Sequence, residues 1–107
     1  MIQVTFYKNQ TGEWKGFSIK GHAGYAEYGK DIVCAAVSAL ALNTLNSIEA
    51  LTEDTFKAEV AEGSMKMKFT SVPGSSSKVL MDSLQLGLQN ILEDNNKTYI
   101  QLNFKEV

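Results

Sequence analysis

The sequence predicts an α+β fold: a two-layer sandwich with two helices packed on one face of a mostly antiparallel sheet. Three observations carry this. Five short segments alternate apolar and polar residues, the period of two expected of a half-buried strand. Two longer segments read as helices. They follow the second and fourth strands, so the order is ββαββαβ. Strands in adjacent pairs with short turns favour hairpins, and helices with an apolar face bury it against the sheet. A length of 107 residues suits a single domain over residues 1–107 with one modest core.

Residues 2–7 place Ile2, Val4 and Phe6 on one face of a first strand. A turn containing Asn9 and Gly12 leads to a second strand over residues 14–20, with Phe17 and Ile19 apolar. Residues 21–30 follow neither period. They hold Gly21, Gly24 and Gly29 with Tyr25 and Tyr28, and read as a mobile loop, because glycine removes backbone restraint. Asp31 offers an N-cap for a helix over residues 32–51, which starts almost wholly apolar and so needs cover on more than one side. Residues 55–61 alternate with Phe56, Ala58 and Val60 inward. A turn over residues 62–64 joins them to Met65, Met67 and Phe69, which alternate with Lys66 and Lys68. Pro73 breaks the chain, and the serines that follow can cap a helix carrying Leu80, Leu84, Leu88 and Ile91 to about Glu93. A polar turn over residues 94–97 precedes a last strand marked by Ile100, Leu102 and Phe104.

The net charge is −2, with acids and bases scattered along the chain. That pattern gives no clustered basic face, so direct nucleic-acid binding is not expected. Nor is an anionic membrane surface. No apolar run approaches bilayer-spanning length, and no basic segment precedes an apolar stretch at the N-terminus. One cysteine and one histidine cannot build a zinc site or an internal disulfide, so no metal is expected and a reducing, cytoplasmic setting is.

Those two residues are the candidates for chemistry. A free thiol titrates near ~8.5, and a cysteine nucleophile needs a device that favours the thiolate. With Asp31 as N-cap, Cys34 falls in the first helical turn, where unpaired amides and the helix dipole favour negative charge. His22 ends the second strand, and the glycine-rich loop can return the chain so that imidazole and thiol meet. The histidine then serves as base for attack and acid for amine departure. Asp31 can orient that imidazole, or serve only as the cap; the cap is the commoner role, and its charge opposes a thiolate unless protonated His22 stands between them. Ser38 lies one turn beyond Cys34. Its hydroxyl can donate to the thiolate or an oxyanion, or bond back to the carbonyl of Cys34. A lone cysteine is most often a small buried hydrophobe. The coincidence of the only His and the only Cys at the two ends of one glycine-rich loop strengthens the case for catalysis, although on the chemistry alone the buried hydrophobe stays the commoner reading.

Gly21-His22-Ala23, then Glu27-Tyr28-Gly29, then Asp31-Ile32-Val33-Cys34-Ala35-Ala36 with Ser38, resembles the signature of the ribosomal-processing cysteine protease family, Prp. The resemblance implies an endopeptidase that removes the N-terminal extension of a bacterial large-subunit ribosomal protein. The cut follows a hydrophobic stretch ending in two phenylalanines. It implies His22 and Cys34 as the catalytic pair, residues 21–30 as the loop over the substrate, a homodimer, and no cofactor. The apolar start of the first helix agrees by leaving surface for a second subunit, and Tyr25 and Tyr28 suit an aromatic substrate side chain. Two other readings compete. One is a non-catalytic, ribosome-associated dimeric binding module. The other is a thiol redox sensor, weakened by the lack of a resolving cysteine.

Overall fold

A computed structural model describes residues 1–21, 31–94 and 99–107. The elements are β1 (Ile2–Lys8), β2 (Trp14–Lys20), α1 (Ile32–Leu51), β3 (Phe56–Ala61), β4 (Ser64–Phe69), α2 (Ser75–Glu93) and β5 (Ile100–Glu106). The succession is the expected ββαββαβ, and α1 has the expected bounds.

The five strands form one sheet in the order β3-β4-β2-β1-β5. The β1–β2, β2–β4 and β3–β4 pairings are antiparallel. The β1–β5 pairing is parallel, because α2 carries the chain across the sheet before β5 joins the far edge. The register places Val4 opposite Ile19 and Phe6 opposite Phe17, then Ile19 opposite Met65 and Phe17 opposite Met67. These side chains share one face. They form a single core with Val33, Val37, Ala41, Leu45 and Ile48 of α1 and Met81, Leu84 and Leu88 of α2. Both helices therefore cover that face, and the other face stays open.

Trp14 ties the sheet to α2. The register shifts between Tyr7 and Lys8, and the indole still points inward, where it is fully buried. Its Nε1–H donates to Asp82 Oδ1 at 2.9 Å, and its ring meets Phe6 edge-on at 5.5 Å. Gly16 makes the adjacent crossing possible, since a Cβ there would stand 2.1 Å from the carbonyl oxygen of Met67.

Three expectations are corrected. Ala58 and Val60 are exposed and Phe56 is only half-buried. β3 is an edge strand that lies beyond most of the helical cover, so its alternation marks a face without burying it. The serines do not cap α2. Its N-cap is Gly74, and Asp54, from the loop before β3, supplies the acceptor: Oδ2 takes the Gly74 N–H at 3.0 Å and the hydroxyl of buried Ser77. Finally, α1 does reach membrane-spanning length, with a mean hydropathy of 1.4. Its buried stripe packs on the sheet, which is the behaviour of a core helix. The opposite side leaves Ile32, Ala35, Ala39 and Leu42 exposed. Of the turn expected over residues 94–97, only Asp94 lies within the described residues.

Candidate active site

Cys34 is the third residue of α1, half-buried against the edge of the core. Asp31 is the N-cap, as its position before the apolar run requires. Its Oδ1 accepts the Cys34 N–H at 3.0 Å, and its carbonyl accepts the Ala35 N–H at 3.1 Å. This bond occupies the Cys34 amide, which therefore is not free to hold an oxyanion while the cap is closed. The thiol thus stands at a helix start whose first turn carries no acidic side chain.

A cavity of about 120 Å³ opens beside it, lined by Cys34 and Ser38 of α1, by Gly21, and by the β3–β4 hairpin through Val60, Ala61, Gly63 and Ser64. Ile2, Ile19, Val37, Leu42 and Met65 make the rest of its wall mostly apolar. Small-molecule sites run to roughly 300–1,000 Å³. The part of the cavity formed by the described residues therefore suits one side chain of a longer ligand. Ser38 is exposed at its wall, so it belongs to the cleft and not to a buried stretch of helix.

Gly21 is held firmly. Its N–H donates to the carbonyl of Gly63 at 2.9 Å, which ties the end of β2 to the β3–β4 turn. Its φ of +92°, and a Cβ position only 2.5 Å from the Met1 carbonyl oxygen, exclude larger residues. Gly21, expected from its sequence context to be mobile, is thus a fixed corner of the cavity. His22, Gly24, Tyr25, Tyr28 and Gly29 lie outside the described residues. Of the two described residues that flank them in the sequence, Gly21 lines the cavity and Asp31 caps the helix that carries Cys34.

The structure brings together Gly21, Asp31, Cys34 and Ser38. It adds the hairpin wall, which the sequence reading missed. Val60 was assigned to the core, and the available signal was only that a strand followed by a tight Gly63 turn can sit at an edge. Among the described residues, no group of three or more His, Cys, Asp or Glu is placed to hold a metal ion.

Comparison with known proteins agrees with this geometry. Residues 1–101 match the family model described as cysteine protease Prp. The chain is 30% identical over 107 residues to the ribosomal processing cysteine protease Prp of Staphylococcus aureus, covering 98% of this chain and 100% of that one. Two crystal structures of the essential ribosomal processing protease Prp from S. aureus superimpose closely, each at 29% identity over 98% of this chain and 100% of theirs. The one with a covalently linked product peptide gives a TM-score of 0.92, and the one with a substrate peptide gives 0.87.

Proposed function

Because the chain belongs to the Prp cysteine protease family, we propose that Cys34 and His22 form its catalytic pair and that its substrate is the N-terminal extension of a bacterial large-subunit ribosomal protein. The cut falls after a hydrophobic stretch ending in Phe-Phe. The observation that carries this reading is the placement of Cys34 at the start of α1, on the wall of an apolar cleft sized for a side chain. Cys34 Sγ attacks the carbonyl carbon of the scissile peptide, and His22 takes the thiol proton. The tetrahedral intermediate expels the amine, which receives that proton from His22, leaving a thioester. Water, deprotonated by His22, releases the acid and restores the thiol. No cofactor takes part. In this reading the substrate-binding loop is residues 21–30, including Gly24, Tyr25, Tyr28 and Gly29, of which Gly21 is the described end. The enzyme acts in the cytoplasm as a single domain. Incubating the protein with a peptide spanning such a site and weighing the products by mass spectrometry tests this; intact peptide overturns it.

Asp31 serves as the cap and, in this reading, as a support for His22. Asp31→Ala is expected to lower stability by about 0.5–2 kcal/mol, measured by urea unfolding. Turnover should fall further than the folded fraction explains. Equal losses leave Asp31 a cap alone.

The exposed apolar stripe of Ile32, Ala35, Ala39 and Leu42 supports a homodimer through α1. Ala39→Lys is expected to shift the protein from dimer to monomer in sedimentation velocity at micromolar concentration. A wild-type monomer under those conditions rejects the dimer.

A further inference from the structure

Charges scattered along the sequence are sorted by the fold. The chain has ten lysines, no arginine and a net charge of −2. Five of those lysines (Lys15, Lys20, Lys57, Lys66 and Lys68) line one shallow cavity of about 660 Å³ on the open face of the sheet. Glu59 is the one acidic residue among its described lining, so the cavity carries a local excess of positive charge on an acidic protein. Three of the lysines lie on the paired strands β3 and β4 and share one face, and Lys57 stands directly opposite Lys68. Like charges in that relation oppose sheet formation. Glu59 opposite Lys66 relieves only one such position. Tyr7 also lines the cavity, half-buried, with its hydroxyl bonded to Ser18 at 3.2 Å.

We propose that this open sheet face is a docking surface for single-stranded RNA. A concave basic surface tracks a phosphate backbone, and an aromatic side chain within it offers a stacking platform for a base. A bilayer is flat and would gain from protruding apolar groups, whereas this cavity is recessed, with five lysines on its lining and Tyr7 among them. The choice of RNA over DNA rests on the ribosomal substrate proposed above. The face is opposite the helices and separate from the Cys34 cleft. RNA bound there leaves the cleft open, and tethers the enzyme to an RNA-rich particle while the peptide is cut. The expectation of no direct nucleic-acid contact rests on charge order along the chain, and this proposal stands against it.

The test is fluorescence anisotropy of a labelled polyuridine oligonucleotide of about 12 nucleotides, over a series of salt concentrations. With about four phosphates neutralised, the logarithm of the affinity should fall with the logarithm of salt at a slope near −3. The variant Lys57→Gln/Lys66→Gln/Lys68→Gln should lose at least about tenfold in affinity and flatten the slope toward about −1. The Lys→Arg triple should retain binding, and both triples should cleave free peptide as the wild type does. Unchanged affinity in the Gln triple overturns the proposal. So does tighter binding to phosphatidylglycerol vesicles or to a polyglutamate peptide than to RNA. Peptide cleavage without RNA binding sinks the docking surface and spares the protease reading; RNA binding by this face without cleavage does the reverse.

Discussion

Cys34→Ala protein is expected to fold as the wild type does and to leave the substrate peptide uncut. The substitution removes one sulfur atom from a half-buried site at the edge of the core, and it leaves the Cys34 backbone amide in place to donate to Asp31. Stability should therefore change by no more than about 1 kcal/mol. The chemistry has no substitute. Cys34 is the only cysteine in the chain, and the neighbouring hydroxyl of Ser38 sits one turn away along the helix. Mass spectrometry after prolonged incubation should show intact peptide, with thermal melting unchanged. Turnover by this variant would remove Cys34 as the nucleophile.

His22→Ala is expected to lower kcat/KM by about 10²–10⁴-fold, the usual contribution of a positioned acid–base group. The thiol would lose the group that takes its proton and the leaving amine the group that supplies one. His22 directly follows Gly21, a residue pinned at the rim of the same cavity that Cys34 lines. Added imidazole should restore part of the activity, which a purely structural role would not allow. A variant that keeps full turnover, or that loses it together with its fold and is not rescued, removes His22 from the mechanism.

The alternation of Ile2-Val4-Phe6, Phe17-Ile19 and Met65-Met67 determined strand positions and the inward face, because side chains in a strand point to opposite faces in turn. Asp31 before a long apolar run determined the start of α1 to the residue, because an N-cap is a local interaction spanning three positions. Cys34 at a helix start therefore needed no tertiary information. Other features did. Asp54 caps α2 from more than twenty residues upstream in the chain. Ala58 and Val60 carry a core pattern and stay exposed, since strand order alone decides which strand lies at the edge. Gly21, whose sequence context suggests freedom, is fixed by the Gly63 carbonyl and crowded by Met1, both contacts made across the sheet. The sharpest case is charge. The lysines of β2, β3 and β4 alternate with apolar residues and are diluted by acids elsewhere, so the sequence reads as neutral. Strand pairing brings Lys20, Lys57, Lys66 and Lys68 onto the face the helices leave uncovered, because period two sends each of them that way once the register is set, and the register shift beside Trp14 adds Lys15. Local order was written in short-range spacing; which residues meet, and which charges add, was decided by the tertiary structure.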